Sequence, residues 1–217
     1  MNLNPALKSY VEAEILPRYD YFDRAHQRDH IDTVIAQSAA LADLLERQGV
    51  TVDRDMVYVI AAYHDLGVVN GREHHHTDSG KILMADPVLK HFFTEEQLVT
   101  MKEAVEDHRA SATQSPRSLY GRIVAEADRQ IEPRTIVLRT VQYGLEHYPQ
   151  LDKAGHLARA EAHLKEKYGE GGYLKLWFPD SDNARRLAEL RRLIADKQAL
   201  RALMEEIWDA LQPEART

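Results

Sequence analysis

The stretch YVIAAYHDLGVVNG, from Tyr58 to Gly71, places a histidine and an aspartate side by side after an apolar run. All eight residues from Met56 to Tyr63 are apolar or aromatic, which predicts a helix in the wall of the core. Buried His and Asp side chains are costly unless they are hydrogen-bonded, charge-paired or bound to a metal. An acid at a helix C-terminus is not explained by the helix dipole, which favours positive charge there. His64 and Asp65 therefore predict either a nearby cation or a mutual pair in which Asp65 caps a neighbouring helix.

The rest of the chain also has helical periodicity, and the predicted fold class is all-α. Apolar residues recur at helical spacing from about residue 29 to residue 48, and TEEQ at 94–97 is a capping-box pattern. The glycine-rich segment at 168–183 is the one long non-helical candidate. We expect a helical core over residues 1–150 and a C-terminal helical addition over residues 151–217.

Composition limits the class of protein. The chain has 217 residues, 44% hydrophobic and 29% charged, with no cysteine, which excludes disulfides and thiolate metal sites. A formal net charge of −7 argues against a nucleic-acid polymer as partner. No signal peptide and no apolar run long enough for a bilayer is evident, so no membrane association and a cytoplasmic location are expected.

Further imidazole and carboxylate side chains lie at predicted helix positions. His30 is near the start of a helix, His108 ends one, and Asp128 lies within the half-apolar segment AEADRQ. Each has a simpler alternative, such as a core histidine bonded to a backbone carbonyl or a paired buried acid. His74, His75 and His76 form a run in which at least one ring is expected to be solvated. Imidazole and carboxylate ligands without thiolate suit Fe, Mn, Co, Ni or Zn.

The order of these residues resembles that of the HD-domain superfamily of metal-dependent phosphohydrolases. The similar segments, over about residues 20–150, are HIDTV with His30, AAYHDLG with His64 and Asp65, HTDSG with His76, EDHRAS with His108, and AEADR with Asp128. The resemblance implies an HD-type helical core, of the kind found in small bacterial HD hydrolases.

The resemblance also implies the ligands and the chemistry. One divalent ion (Mn, Fe, Co, Ni, Mg or Zn) would be held firmly by His30, His64, Asp65 and Asp128. In members with two ions, a second ion would be completed by His76 and His108, with Asp65 as the bridge. Because it has fewer anionic ligands of its own, we expect it to be the weaker one. Asp65, His76 and His108 are accordingly the expected catalytic residues.

Substrate binding and proton donation are expected from nearby charged residues. Basic residues close to the expected ligands in sequence are candidates for an anionic substrate: Arg72, Lys81, Arg109, Arg117, Arg122 and Arg129. Of these six, Arg109, Arg72 and Lys81 are the expected substrate-binding residues. The acidic residues that some HD branches carry after the His-Asp pair are missing from LGVVNG. A general acid would come from Glu73, Asp78 or Asp107, unless the activated water acts alone.

The expected function is metal-dependent hydrolysis of a small phosphorylated compound, possibly a nucleotide among other phosphoesters. The alternatives are an HD-type di-iron oxygenase and a non-catalytic metal-binding regulatory module. The C-terminal helices are predicted to form an amphipathic hairpin, and a homodimer surface is the alternative use for it. Three histidines outside the core, His147, His156 and His163, are predicted to be surface residues.

Overall fold

The computed structural model describes residues 3–22, 27–110 and 114–211, and within these ranges it contains helices and no β-strand. The predicted all-α fold class is confirmed. The α-helices are α1 Pro5–Tyr10, α2 Arg28–Arg47, α3 Arg54–Tyr63, α4 His75–Ala85, α5 Glu95–Glu106, α6 Leu119–Ala127, α7 Pro133–His147, α8 Lys153–Tyr168, α9 Asp182–Ala195 and α10 Lys197–Leu211. Shorter helical turns occupy Val11–Ile15, Leu16–Tyr21, Leu66–Asn70 and Leu89–His91.

Side-chain caps fix where several helices begin. The Asp53 carboxylate accepts hydrogen bonds from the backbone N–H groups of Asp55 and Met56 at the start of α3. Thr94 and Gln97 form the reciprocal capping box that the sequence predicts for α5. These caps satisfy backbone donors that have no partner within the helix, so each helix starts at a defined residue.

The described helices form two compact units, residues Met1–Gln130 and Ile131–Thr217. The division follows Gln130 rather than residue 150, because α7 packs with the later helices. Its apolar residues Ile136, Val137 and Val141 share a core cluster with Leu157 of α8. Which helices cover this face of α7 is a long-range property that the sequence of α7 alone does not report.

In the first unit, α3 is the central helix. Every residue from Met56 to Tyr63 is buried, as the apolar run predicts. Helices α2, α4, α5 and α6 all pack against α3. Because α3 is surrounded, the residues at its C-terminal end enter the interior and not the solvent.

The second unit contains α7 to α10 around one apolar cluster. Residues 169–181 lie outside any helix, as the glycine-rich segment predicts, and α9 and α10 bury Leu187, Leu190, Ile194, Leu200, Met204 and Ile207. The prediction that His156 is a surface residue is wrong. Its side chain is 4% exposed and its ring lies 5.2 Å from that of Trp208. The apolar face of α8 carries this histidine inward at helical spacing with Ala160.

Among the described helices, none is both long enough and apolar enough to cross a membrane.

Candidate metal centre

Four helix ends in the first unit bring histidine and aspartate side chains together, and the start of α4 adds a fifth. His64 caps the C-terminus of α3 and Asp65 follows it, while Asp128 caps the C-terminus of α6. His108 lies just beyond the end of α5, and His30 is in the first turn of α2. Two carboxylates therefore lie at helix C-termini, where the helix dipole disfavours negative charge. Positive charge beside them would offset this cost, and a bound metal ion could supply it.

A close contact of backbone with backbone positions the chain after Asp65. The Gly67 N–H donates a hydrogen bond of 2.8 Å to Ser79 Oγ in α4. A Cβ atom on Gly67 would lie 2.1 Å from the backbone oxygen of His75, so no side chain fits there. This approach holds the turn carrying Asp65 against the first turn of α4. His75 is the first residue of α4 and is thereby brought to the carboxylate.

Asp65 lies between two groups of histidines and presents one oxygen to each. Its Oδ2 atom is 3.4 Å from His30 Nε2 and 3.4 Å from His64 Nε2. Its Oδ1 atom is 3.5 Å from both His75 Nε2 and His108 Nε2. Each group can hold a metal ion, and Asp65 is common to both. Asp65 therefore lies where it could be a ligand common to both candidate groups.

Asp128 adds a second carboxylate to the first group. Its Oδ1 atom is 3.4 Å from His30 Nε2 and 3.8 Å from His64 Nε2. His30, His64, Asp65 and Asp128, which the resemblance implies as the ligands of one ion, are thus brought together. Two imidazoles and two carboxylates form a donor set that suits several divalent metals, and they do not select one.

Three of the four histidines are oriented by backbone carbonyl groups. His64 Nδ1 is 2.8 Å from Ala61 O, His75 Nδ1 is 2.8 Å from Arg72 O, and His108 Nδ1 is 2.6 Å from Val105 O. A carbonyl oxygen only accepts, so each Nδ1 carries the hydrogen. In the neutral rings, each Nε2 then has a free lone pair directed into the cluster. Fixing the far nitrogen in this way is the usual support of a metal-binding histidine.

The distances within the cluster fit shared cations better than direct hydrogen bonds. Contacts of 3.4–3.8 Å between His30 or His64 and the two carboxylates exceed the usual hydrogen-bond range of about 2.7–3.2 Å. Two ligand atoms each about 2.1 Å from one ion lie roughly 3.0–3.4 Å apart. His64 Nε2 is buried and has no hydrogen-bond partner within the part of the chain that the structure describes. The residues therefore fit a bound metal.

The charges in the cluster depend strongly on one another. Burial opposes a charge on His64, but Asp65 and Asp128 outweigh it and raise the pKa of His64 well above its ordinary value. Burial would likewise raise the pKa of Asp65, and the surrounding histidines instead hold that pKa well below its usual range. His64 outweighs burial to lower the pKa of Asp128 to about 2. Both carboxylates are ionised near neutral pH and require positive charge beside them.

His75, not His76, completes the second group. Its Nε2 atom faces Asp65 and is 3.1 Å from His108 Nε2, whereas His76 is not among the clustered ligands of the described residues. Adjacent residues on a helix point about 100° apart, so only one of the two can face Asp65. The His76 ring lies 5.6 Å from the His75 ring, and its Nδ1 is buried without a hydrogen-bond partner among the described residues. The structure thus brings His75, and not the expected His76, to Asp65 and His108, so His75 is the candidate ligand of the second group.

Among the residues expected to bind substrate, Arg109 lies near the second group, whereas Lys81 is paired with an acidic side chain. Arg109 Nη1 donates to the Glu73 carbonyl oxygen at 2.9 Å. Lys81 is exposed and forms an ion pair of 2.7 Å with Asp78. Arg72 is exposed, and its carbonyl oxygen accepts from His75.

The expected general acids also differ in their surroundings. Glu73 is exposed and Asp78 is held by Lys81 and Asn70. Asp107 accepts hydrogen bonds from the backbone and the guanidinium of Arg117. The carboxylates of Asp78 and Asp107 thus already form hydrogen bonds within the fold. These contacts account for the presence of both residues without a catalytic role.

Gln130 is a contact of the cluster that sequence reasoning missed. Its Nε2 atom lies 2.9 Å from His30 Nδ1. Its backbone has φ of 41°, the one positive φ among the described non-glycine residues. No sequence pattern marks a glutamine two residues after Asp128 as a partner of a histidine one hundred residues earlier.

Comparison with models of known protein families, with curated proteins and with solved structures finds no match for this chain. The structure itself defines an all-α protein with buried histidine and aspartate groups that can hold a metal ion.

Proposed function

We propose that this chain is a metal-dependent phosphohydrolase acting on a small phosphorylated compound. The observation that carries the proposal is the position of the Asp65 carboxylate. Its Oδ2 atom faces His30 and His64, and its Oδ1 atom faces His75 and His108. A carboxylate shared between two cation sites is the arrangement that suits in-line displacement at phosphorus. The resemblance of the segments around these residues to the HD-domain superfamily supports the same chemistry.

The protein side chains would divide the work of holding the ions. His30, His64, Asp65 and Asp128 would hold one ion, and Asp65, His75 and His108 would hold the other. When bound, such ions lower the pKa of water to about 7 and neutralise charge on phosphoryl oxygens. The second group has one shared carboxylate, whereas the first has two, so the second ion is expected to be the weaker one.

Cationic and imidazole groups beside the second site are suited to an anionic substrate. The Arg109 guanidinium is only partly buried, and its fork of donors matches phosphate oxygens. His76 carries a buried Nδ1 atom without a hydrogen-bond partner among the described residues. Burial, followed by His108 and His75, lowers the pKa of His76. A neutral His76 can accept or donate one hydrogen bond to a phosphoryl group or its leaving group.

A di-iron oxygenase is the second candidate, and a specific observation favours it. The cluster contains four histidines and two aspartates, the fuller ligand set with which some HD proteins hold two irons. Iron content of the purified protein and oxygen consumption with a candidate substrate distinguish the two reactions.

The test is phosphate release by metal-stripped protein reloaded with Mn, Co, Ni or Mg, over a panel of phosphate monoesters and nucleotides. We expect turnover that a chelator abolishes and that Asp65→Asn removes. The matched control is His147→Ala, which changes an exposed histidine of the second unit and is expected to retain activity. Full metal occupancy without turnover across the panel would instead indicate a regulatory module. Activity that survives thorough chelation would overturn the proposal.

A further inference from the structure

The C-terminus of α3 has a hydrogen-bond pattern that differs from that of a continuing helix. In a helix that continued, Ala61 O would accept from the N–H of Asp65, and Ala62 O from the N–H of Leu66. Instead, α3 ends at residue 63, and the His64 ring places Nδ1 2.8 Å from Ala61 O, where the Asp65 N–H would lie. Since His64 and Asp65 are buried, the displaced backbone groups need partners from another part of the fold.

The hydroxyl group of Tyr19 is the partner of both displaced groups. Tyr19 lies on the helical turn Leu16–Tyr21, and its side chain is 0% exposed. The hydroxyl donates a hydrogen bond of 2.8 Å to Ala62 O, and its oxygen accepts from the backbone N–H of Asp65. A hydroxyl can donate and accept at the same time, so one group satisfies the carbonyl and the N–H at the end of α3.

The break in α3 allows two consecutive residues to face one cluster. Neighbouring side chains on a regular helix point about 100° apart. His64 keeps helical backbone angles, with φ of −57° and ψ of −31°, whereas Asp65 has φ of −111° and ψ of 5°. The Asp65 angles lie near the sparsely populated bridge region, in which many active-site residues are found. In this conformation Asp65 Oδ2 lies 3.4 Å from His64 Nε2.

The ring and the hydroxyl of Tyr19 have separable roles. The ring packs edge-on against that of Phe22, with centroids 5.2 Å apart, and this contact does not involve the oxygen. A phenylalanine at position 19 would keep the ring contact but leave Ala62 O and the Asp65 N–H without their partner. The Asp65 N–H could regain a helical bond to Ala61 O only by displacing the His64 ring.

We propose that Tyr19 is a positioning residue whose hydroxyl fixes the end of α3 and thereby holds the Asp65 carboxylate between the two histidine groups. The hydroxyl acts through the backbone, since both of these contacts are to backbone groups. Asp65 is common to both groups of candidate ligands, so its displacement is expected to affect both. The inference rests on the metal site of the proposed function, and not on the reaction catalysed there.

The first measurement is NMR of the metal-free full chain. In the wild type we expect a Tyr19 hydroxyl proton that is protected from solvent and has a nuclear Overhauser cross-peak to the Asp65 amide proton. In Tyr19→Phe, the Asp65 amide is expected to exchange about 3–10-fold faster relative to the other amides of α3, the effect of losing one hydrogen bond of ordinary strength. The matched control is Tyr63→Phe, which removes an equally buried hydroxyl that bonds to Asp86 at 2.6 Å. This control is expected to leave the relative exchange of the Asp65 amide unchanged.

The second measurement is calorimetric titration of the same three proteins with Zn²⁺. Tyr19→Phe is expected to weaken binding at both sites by about 10–100-fold, the usual cost of losing an outer partner of a metal ligand. Tyr63→Phe is expected to lower folding stability and to keep the zinc affinity of the wild type. Equal losses of affinity in the two variants would assign both losses to general destabilisation and would overturn the role of Tyr19.

Two other results would overturn the inference, and they differ in what they mean for the proposed function. If the wild type binds zinc and Tyr19→Phe binds it with unchanged affinity, the metal site stands and the role of Tyr19 is wrong. If the wild type binds no zinc at the clustered histidines, the metal site is wrong and the inference fails with it. Should Tyr19→Phe fail to fold, the cross-peak in the wild type decides: its presence supports the inference, and its absence overturns it.

Discussion

His75 Nε2 lies 3.1 Å from His108 Nε2, although in the neutral rings neither nitrogen carries a hydrogen. Each Nδ1 donates to a backbone carbonyl, His75 to Arg72 and His108 to Val105. Two lone pairs at this separation repel unless a proton or a metal cation lies between them. A distance of about 3.0–3.4 Å is also what two nitrogen ligands of one ion have. This pair therefore fits a cation shared by the two rings, which is either a proton or a metal ion held by the second group.

The first prediction distinguishes the two aspartates. Asp65→Asn removes charge from both cation sites, because Oδ1 and Oδ2 face different histidine pairs. Asp128→Asn removes charge from the first group alone. We expect Asp65→Asn to weaken binding of both ions by more than about 100-fold, beyond the usual cost of losing an outer hydrogen-bond partner. We expect Asp128→Asn to weaken only the tighter ion.

The measurement is calorimetric titration of metal-stripped protein, with bound metal determined by elemental analysis. Equal losses from the two variants at both sites would contradict the assignment of Asp65 as the shared ligand.

The second prediction separates the neighbouring histidines at the start of α4. His75→Ala is expected to abolish the weaker metal site, since it removes the contact with Asp65 and His108. His76→Ala is the matched control and is expected to leave both ions bound while lowering phosphate release. Metal stoichiometry and turnover are measured on the same samples. The reverse pattern, with loss of an ion only in His76→Ala, would restore the assignment made from the sequence alone.

The positions of His75 and His76 show which structural features a sequence pattern can predict. The spacing of apolar residues identified α3 as a core helix, and the position of His64 and Asp65 at its end followed from that. The choice between His75 and His76 depends on the rotation of α4 relative to Asp65. That rotation depends on the packing of α4 against α5 and on its close approach to Gly67, which no local pattern reports.

Long-range contacts account for the other differences. Gln130 and His30 are far apart in sequence, and their contact depends on the packing of α2 against α6. The interior position of His156 depends on the helices that cover α8 in the second unit. Helix starts were more predictable, because the caps at Asp53 and Thr94 act within a few residues of themselves.

The third prediction tests the backbone contact that brings Asp65 to α4. Gly67→Ala would place a methyl group 2.1 Å from His75 O and 2.6 Å from Ser79 N. Backbone atoms cannot move aside as a side chain can, so the turn after Asp65 must shift. We expect a loss of at least about 1–3 kcal/mol in the free energy of unfolding, the usual cost of overpacking, together with weaker metal binding.

Chemical denaturation and metal titration test this variant, with Ser79→Ala as the comparison. Ser79→Ala removes the hydrogen bond from Gly67 but adds no atoms, so metal binding should be affected less. An unchanged metal affinity in Gly67→Ala would show that the close approach does not position Asp65.

The fourth prediction concerns high pH. Tyr10 and Tyr63 each donate a hydrogen bond of 2.6 Å to Asp86 Oδ2. Burial, followed by the bond to Asp86, raises the pKa of Tyr10 to about 12, and the same causes raise that of Tyr63 further. The folded protein thus keeps protons that the unfolded chain releases above about pH 10. This stabilisation is fully present below pH 10 and is lost as the pH rises through about 12.

Denaturation at several pH values between 9 and 12 measures the effect, within the range where the protein remains soluble. The double variant Tyr10→Phe with Tyr63→Phe is expected to be less stable at pH 8 and to have a shallower decline above pH 10. Tyr143→Phe, at a position half-exposed in the second unit, is the control and should keep the original slope. The same decline in the double variant would assign the alkaline sensitivity to other groups.

Anomalous diffraction at the zinc absorption edge, from crystals of the zinc-loaded protein, would locate the bound ions directly. We expect one peak bound by His30, His64, Asp65 and Asp128, and a weaker peak bound by Asp65, His75 and His108. Zinc peaks confined to exposed histidines such as His147, with none at Asp65, would contradict it.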